Sequence, residues 1–241
     1  MVTDWVVATV VETRAETPTG RSITLDAPGW PGNIAGQHVD VRLTSPDGYQ
    51  ATRSYSIASV STESVATAPG ITESHLQLAV DRLPTGEVSP FLVDDLQRGD
   101  QLEVRGPLGG WFVWRPDDPT PVQLIGGGSG VVPLVAMVRS HAASESAAPM
   151  QLLYSVRSPE NRFFADELET LPDVHFVYTR RAPDQIPVGR LTRDTLATKT
   201  LPPGGAVFVC GPTPFVESVA TWLVELGHDP AGIKTERFGG N

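Results

Sequence analysis

A glycine cluster in the second half of the chain has the composition of a phosphate-binding loop. Residues 126–133 read Gly-Gly-Gly-Ser-Gly-Val-Val-Pro, between the apolar run Val122–Ile125 and the helix-like run Val131–Arg139. In that setting, glycines let a pyrophosphate approach backbone N–H groups at a helix N-terminus. A flexible turn is the alternative interpretation. A serine-hydrolase elbow is excluded, because Val131 stands where the Gly-x-Ser-x-Gly pattern requires glycine.

Arginines follow the next two strand-like runs. Leu152–Val156 precedes Arg157, and His175–Tyr178 precedes Thr179, Arg180 and Arg181. An acidic residue at the end of the second strand would hold the ribose hydroxyls of NAD, and arginine takes that place here. Three arginines at adjacent strand ends of an acidic chain favour a 2′-phosphate, and therefore NADPH over NADH. Solvated loop arginines are the alternative.

The first half carries two further groups of candidate binding residues. One is Arg53, Ser54, Tyr55 and Ser56; the other is Gly86-Glu87-Val88-Ser89-Pro90. Ser89 before Pro90 predicts a helix to about Leu96 with serine as its cap. The free N–H groups at that helix start can bind an anion, and Arg53 can contact the same anion. The ring of Tyr55 can pack on a flat ligand. A surface arginine, a core tyrosine and an ordinary cap are the alternatives.

The elements around these residues differ between the two halves. Short strand-like runs in the first half are separated by Gly, Pro, Asp and Ser, which predicts a small antiparallel barrel. The runs are Ser22–Leu25, His38–Leu43, His75–Val80 and Leu102–Val104. The segment Ser61–Gly70 is polar and composed of small residues, which predicts a flexible loop.

Three prolines in 115–121 predict a linker, after which strand-like and helix-like runs alternate. Helices are predicted at Phe163–Leu171 and from Thr213, as a cap before Pro214, to about Leu226; Val207–Cys210 is a further strand. This alternation predicts a parallel sheet with helices on both faces. The predicted domains are therefore 1–115 and 122–241.

Composition excludes several classes of function. A net charge of −10 argues against a nucleic-acid partner. The single cysteine excludes an internal disulfide and a four-cysteine iron–sulfur cluster. The five histidines lack ligand spacing, so no metal site is expected. The N-terminus lacks signal-peptide features, and the uncharged residues 119–138 contain too many glycines and prolines for a spanning helix. We expect a cytoplasmic protein with no membrane partner.

In chain order, five motifs together resemble the ferredoxin–NADP reductase superfamily. They are Arg-x-Tyr-Ser at 53–56, Gly-x-x-Ser at 86–89, Gly-Gly-Gly-Ser-Gly-x-x-Pro at 126–133, Cys-Gly-Pro at 210–212 and Glu-Arg-Phe at 236–238. Residues 36–38 and 105–109 also match, and the resemblance covers nearly the whole chain. It implies two domains: an N-terminal antiparallel Greek-key β-barrel that binds flavin, and a C-terminal α/β parallel-sheet domain that binds the nucleotide.

The resemblance implies roles for the matching residues of the first domain. Arg53, within the motif that includes Ser54, would bind the flavin phosphates, and Tyr55 would stack on the isoalloxazine. Ser56 would hydrogen-bond near flavin nitrogen 5. The pyrophosphate would be held by Gly86, Val88 and Ser89.

Roles in the second domain are implied in the same way. The phosphates of the nicotinamide nucleotide would be held by Gly127, Gly128 and Ser129. Cys210, followed by Gly211 and Pro212, would lie near nicotinamide carbon 4; a small buried residue is the alternative for this cysteine. Phe238 would cover the flavin until nicotinamide displaces it, and Glu236 would assist proton transfer.

These roles imply an FAD-dependent NAD(P)H oxidoreductase that passes hydride to bound FAD. FMN is the less favoured flavin. The chain lacks the clustered cysteines of a plant-type ferredoxin domain, so the expected acceptor is a separate iron–sulfur, haem or molybdenum protein, or a small diffusible molecule. Two alternatives are a reductase that releases free reduced flavin and a non-catalytic, nucleotide-binding regulatory subunit.

Overall fold

A computed structural model describes residues 4–60 and 75–238 of the chain. The loop expected at 61–70 lies outside these residues. Clustering of the backbone divides the chain into an N-terminal unit, Met1–Trp114, and a C-terminal unit, Arg115–Asn241. The division falls at the start of the proline-rich segment.

The N-terminal unit contains a six-stranded antiparallel sheet in the order β4-β3-β6-β1-β2-β5. Its strands are β1 (Val6–Thr17), β2 (Gly20–Asp26), β3 (His38–Thr44), β4 (Gln50–Ser56), β5 (His75–Asp81) and β6 (Gln101–Leu108). Because β6 lies between β1 and β3, and β5 pairs with β2, several neighbouring strands are not consecutive in the chain, as in a Greek key.

The N-terminal sheet closes on itself around an apolar core. An antiparallel bridge between Ile57 and Leu78 joins the end of β4 to β5, and the Ala58 N–H donates to the Gln77 carbonyl at 2.8 Å. The alternation predicted for β5 is confirmed, since Leu76 and Leu78 are fully buried. This bridge joins the two edge strands at one end, and such closure limits unpaired strand edges in small barrels.

The helix predicted from Ser89 to about Leu96 forms over nearly that range, although most of it is π-helical rather than α-helical. A π-helical turn spans Phe91–Asp95, and the residue that precedes it, Pro90, makes no side-chain cap. The Ser89 hydroxyl accepts instead from the Leu83 N–H at 3.0 Å. The cap prediction was wrong because the serine oxygen finds a donor in the preceding turn rather than in its own helix.

The C-terminal unit is a five-stranded parallel sheet in the order β11-β10-β7-β8-β9 with four α-helices among its described residues. The elements are β7 (Val122–Gly127), α1 (Val132–Ala142), β8 (Met150–Val156), α2 (Ala165–Leu168), β9 (Val174–Tyr178), α3 (Arg193–Lys199), β10 (Ala206–Pro212), α4 (Thr213–Glu225) and β11 (Ile233–Phe238). The parallel α/β architecture expected from the alternation is confirmed.

Both faces of the parallel sheet are covered. Every residue of β7 is buried, as a central strand between two helical layers requires. On one face Ile125 packs in a cluster with Leu196 of α3 and Val216 of α4. Alternate residues such as Leu124 are also buried, and α1 lies against β7, β8 and β10.

Two helix predictions in this unit need correction. The helix expected at 163–171 is reduced to Ala165–Leu168, because Phe164 adopts a left-handed backbone (φ 54°) and delays the helix start. At α4, Thr213 is the first helical residue, and no side-chain cap forms there. Pro214 does lie in the first turn, as its fixed φ favours.

Within residues 4–60 and 75–238, no helix is both long and apolar enough to cross a membrane. In the same described residues, His, Cys, Asp and Glu side chains form no group of three that could hold a metal ion.

Candidate functional site

Strand β4 separates the first motif onto its two faces. Arg53 and Tyr55 share one face, because side chains alternate along a strand. Arg53 is exposed, whereas Tyr55 is half-buried against the barrel core, and burial raises the pKa of its phenol to about 12. Ser54 lies on the other face, where its hydroxyl donates to Asp40 at 2.7 Å. The ring and the guanidinium can therefore meet one ligand, while the Ser54 side chain is already bonded.

Ser56 ends β4 with a buried polar group. The residue is 4% exposed, and its hydroxyl has no hydrogen-bond partner within the part of the chain that the structure describes. A buried hydroxyl without a partner costs free energy, so such groups in folded proteins generally meet a ligand or water. The resemblance assigns this hydroxyl to the flavin, and its state fits a bound polar group.

The second motif forms a braced turn beside Arg53. The Gly86 N–H donates to the Leu83 carbonyl at 2.9 Å, and the buried Ser89 hydroxyl accepts from the Leu83 N–H. Val88 packs in the barrel core, so its side chain is not available to a ligand and only its backbone could contact one. Glu87 forms an ion pair with Arg53. The structure thus brings 53 and 86–89 together, as the resemblance requires of a phosphate site.

Other residues that match the family connect around the same barrel. The Gln37 amide donates to the Gly109 carbonyl at 2.8 Å and its oxygen accepts from the Ile34 N–H at 2.8 Å. Arg105 forms an ion pair with Asp40 at 2.6 Å, which lowers the pKa of the Asp40 carboxyl together with the Ser54 hydrogen bond. Burial acts in the opposite direction on that carboxyl. The matching segments therefore support the strand that carries Arg53 and Tyr55.

In the C-terminal unit, the glycine-rich loop passes from β7 through a 3-10 turn, Gly128–Val131, into α1. Gly128 has a φ of +57°, a conformation that other residues adopt at a cost. A Cβ on Gly130 would lie 2.4 Å from the Cys210 carbonyl oxygen, so only glycine permits this approach of the turn to β10. Gly127 and the half-buried Ser129 flank Gly128, and the loop presents backbone groups at a helix start.

The three predicted arginines are brought together by the backbone. The Arg157 carbonyl accepts from the Arg180 N–H at 2.9 Å and from the Arg181 N–H at 3.1 Å, and the Thr179 N–H donates to the Val156 carbonyl at 2.9 Å. All three arginines are exposed. Glu160 forms an ion pair with Arg181, and that hydrogen bond lowers the pKa of the Glu160 carboxyl to about 2. These strand ends therefore present three guanidinium groups and the carboxylate of Glu160.

Cys210 and Glu236 are paired in register on β10 and β11. The thiol is fully buried; burial and then the Glu236 charge raise its pKa well above the usual range, so it stays protonated. A protonated thiol is a poor nucleophile. Burial raises the pKa of Glu236 to about 7, so this carboxyl exchanges a proton near neutrality. Cys210 is therefore suited to a packing contact with a ligand, and Glu236 is suited to proton exchange.

Phe238 is ordered by strand pairing. It is the last residue of β11 and pairs in register with Pro212, which follows Cys210 and Gly211 on β10. The preceding Arg237 binds Glu217 of α4 through two nitrogens, at 2.6 and 2.8 Å. The Cys-Gly-Pro and Glu-Arg-Phe motifs are therefore adjacent, although 24 positions separate Pro212 from Glu236.

Sequence reasoning missed the partners of the site residues. Asp40, Glu87 and Glu160 each bind a residue of the predicted sites, and only Glu87 lies inside a recognised motif. Asp40 faces Ser54 because β3 and β4 pair at that register, which an isolated sequence does not reveal. Glu160 stands three residues beyond Arg157, where it could have been noticed as a nearby acid.

Comparison with known proteins agrees with this arrangement. Residues 31–113 match the oxidoreductase FAD-binding domain family, and residues 124–221 match the oxidoreductase NAD-binding domain family. The FAD/NAD-binding domain of a nitric oxide dioxygenase from Vibrio cholerae superposes with a TM-score of 0.82 at 24% identity, covering 98% of this chain and 99% of that one. The superposition shows a shared fold. The two domain families together match most of the chain, which therefore belongs to the ferredoxin–NADP reductase superfamily.

Two curated relatives are similar over most of this chain. The glycine betaine monooxygenase reductase subunit of Chromohalobacter salexigens is 34% identical over 217 residues, which cover 85% of this chain and 55% of that protein. NADH oxidoreductase HCR of Escherichia coli is 30% identical over 212 residues, covering 88% of this chain and 62% of that protein. The chain thus spans little more than half of the first relative and under two thirds of the second.

Proposed function

We propose that this protein is an FAD-dependent NAD(P)H oxidoreductase that passes electrons to a separate acceptor protein. In this proposal residues 1–115 bind FAD and residues 122–241 bind the nicotinamide nucleotide. The observation that carries the proposal is the buried Ser56 hydroxyl without a partner among the described residues, on the strand that presents Arg53 and Tyr55. Bound FAD would supply the chemistry, accepting a hydride and releasing electrons onward.

The chain's own residues bind and orient in this account. Arg53 contacts a flavin phosphate, with the backbone of 86–89 beside it. Tyr55 provides an apolar face whose hydroxyl stays protonated, and the Ser56 hydroxyl donates to the ring edge. Such fixed contacts set the distance and orientation on which hydride transfer depends.

Residues of the C-terminal unit perform the matching tasks for the nucleotide. The backbone of 127–129 binds its phosphates at the start of α1. Cys210 packs as a neutral thiol near the nicotinamide, Phe238 occupies the flavin-facing position until nicotinamide arrives, and Glu236 holds or releases a proton near neutral pH. Gly211 and Pro212 end β10 directly after Cys210.

The proposed acceptor is an iron–sulfur, haem or molybdenum protein. Two observations support a separate acceptor. The chain has a single cysteine, which is buried, and so lacks the ligands of a cluster of its own. One relative is named as the reductase subunit of a monooxygenase, so its electrons go to a separate subunit.

NADPH is the proposed coenzyme, on the strength of Arg157, Arg180 and Arg181. The test is to replace Arg180 and Arg181 by alanine and compare Michaelis constants. We expect the constant for NADPH to rise at least about tenfold more than that for NADH, since charge-assisted contacts to a 2′-phosphate are lost. Equal effects would contradict the preference and favour NADH, the coenzyme that the name of the E. coli relative prints.

A free-flavin reductase is the second candidate. One observation favours it: Glu87 forms an ion pair with Arg53, the residue that would bind the flavin phosphates.

NADPH oxidation distinguishes both candidates from a non-catalytic regulatory subunit. Protein reconstituted with FAD should oxidise NADPH with ferricyanide as artificial acceptor, and protein without added flavin should not. Nucleotide binding with no oxidation under any of these conditions would overturn the proposed activity.

A further inference from the structure

Glu87 forms an ion pair with Arg53, the residue that is proposed to bind the flavin phosphates. Its carboxylate forms an ion pair with Nη2 of Arg53 and accepts a hydrogen bond from the Tyr49 hydroxyl at 3.0 Å. The other terminal nitrogen of Arg53 donates to the Thr52 carbonyl at 2.7 Å. Each terminal nitrogen of the guanidinium therefore has one partner in the protein itself, and the carboxylate of Glu87 already neutralises the charge to which a phosphate would bind.

The turn that carries Glu87 is held from both sides. Gly86 donates to the Leu83 carbonyl, Ser89 accepts from the Leu83 N–H, and the following Val88 is buried in the barrel core. A Cβ at position 86 would lie 2.8 Å from the Ser89 hydroxyl, so the glycine keeps this turn tight. The backbone thus fixes the base of the Glu87 side chain beside β4, while the carboxylate itself remains half exposed.

We propose that Glu87 competes with the flavin phosphates for Arg53 and so makes bound FAD exchangeable. This inference rests on the proposed function, because it takes Arg53 as the phosphate-binding residue. Uptake of FAD exchanges one anionic partner of the guanidinium for another, and release reverses the exchange. The carboxylate also remains close to the phosphate after displacement, where like charges repel.

The expected size of the effect follows from the exposure of the pair. The side chains of Arg53 and Glu87 are 52% and 47% exposed, so water screens both the ion pair and the repulsion. Replacing Glu87 by glutamine removes the charge and nearly keeps the shape. We expect the dissociation constant for FAD to fall about three- to tenfold, the range of a screened surface pair with added repulsion.

The experiment measures flavin affinity on the full chain freed of flavin, by quenching of flavin fluorescence. FAD and riboflavin are titrated into wild type and Glu87→Gln. Riboflavin has no phosphate, so its dissociation constant should be the same in both proteins. Glu87→Ala carries the same prediction for FAD and keeps the test open if the glutamine amide continues to bind Arg53.

Glu103→Gln is the matched control. Glu103 forms an ion pair with Arg42 at 2.6 Å in the same barrel, and its removal changes the net charge equally. Arg53 pairs in register with Val41, and Val41 with Val104, so the Glu103 side chain lies on the opposite face of the sheet from Arg53. This variant should leave FAD affinity within about twofold of wild type.

A double substitution identifies the route of the effect. In an Arg53→Ala background, Glu87→Gln should tighten FAD less than it does in wild type, because no guanidinium is left to compete for. Equal FAD affinity in wild type and both Glu87 variants overturns the inference alone, as does an equal gain for riboflavin. Failure of every protein, wild type included, to bind FAD instead removes the proposed function and this inference with it.

Discussion

Polar residues of the barrel site differ in whether the protein itself satisfies them. Ser54 donates to Asp40, whereas the buried hydroxyl of Ser56, two residues along the same strand, has no partner among the described residues. Arg53 is bound by Glu87. The first arrangement stabilises the fold; we propose that the second contacts the flavin and that the third tunes the affinity for FAD.

Ser54→Ala should therefore mainly lower the stability of the fold, whereas Ser56→Ala should mainly slow flavin reduction. Without flavin, Ser54→Ala should lose about 1 kcal/mol of unfolding free energy, and Ser56→Ala should change it by less than about 0.5 kcal/mol, since no hydrogen bond is lost. With FAD bound, Ser56→Ala should slow reduction by NADPH roughly tenfold to a hundredfold, while Ser54→Ala should not. Urea unfolding and stopped-flow absorbance measure the two quantities. A large loss of stability in Ser56→Ala would show that its hydroxyl serves the fold.

Glu236 should make stability depend on pH. Burial raises the pKa of its carboxyl to about 7 from 4.5, so between these values the folded chain keeps a proton that the unfolded chain releases. The stability from this group is complete below pH 4.5 and is lost as the pH rises through 7. Glu236→Gln stays neutral throughout. From pH 5 to pH 8 its Tm should gain roughly 5–10 °C on wild type, since about two pH units of proton release are worth about 2.7 kcal/mol. A difference that stays constant with pH would contradict the raised pKa.

Among the elements, several strands with apolar runs were predicted, and three strands were not. The strand expected at 75–80 is β5, but β1, β4 and β11 were not predicted as strands. β4 reads Gln-Ala-Thr-Arg-Ser-Tyr-Ser and β11 reads Ile-Lys-Thr-Glu-Arg-Phe, so neither shows a run of apolar residues. Both are set by pairing with strands distant in sequence, and both carry site residues. The polar site residues themselves thus weakened the signal of the strands that hold them.

The glycines of the loop between β7 and α1 are needed for different reasons, which the structure distinguishes. Gly130→Ala would place a Cβ 2.4 Å from the Cys210 carbonyl oxygen and has to displace β10. We expect a loss of about 2–4 kcal/mol in unfolding free energy. Gly128→Ala is the control: its φ of +57° strains alanine, but no atom lies within 4 Å, so about 1 kcal/mol should be lost. Urea midpoints compare the two variants. Equal losses would show that the turn does not depend on contact with β10.

At the scale of the whole molecule, chain order and composition predicted the architecture. The change from antiparallel to parallel pairing falls at the proline-rich segment after Trp114, and each unit has its own buried cluster. Five motifs in the family's order predicted the family that the two domain matches confirm. The pairing of Glu87 with Arg53 could not be predicted, because it depends on a turn whose course no local pattern specifies.

The central claim is that NAD(P)H reduces flavin bound by this protein. The most direct test is an absorbance spectrum of the full chain with bound FAD, recorded without oxygen before and after NADPH, and separately NADH, is added. We predict a flavin band that bleaches within seconds, faster with NADPH. A protein that takes up no FAD, or bound FAD that neither nucleotide bleaches, would contradict the account.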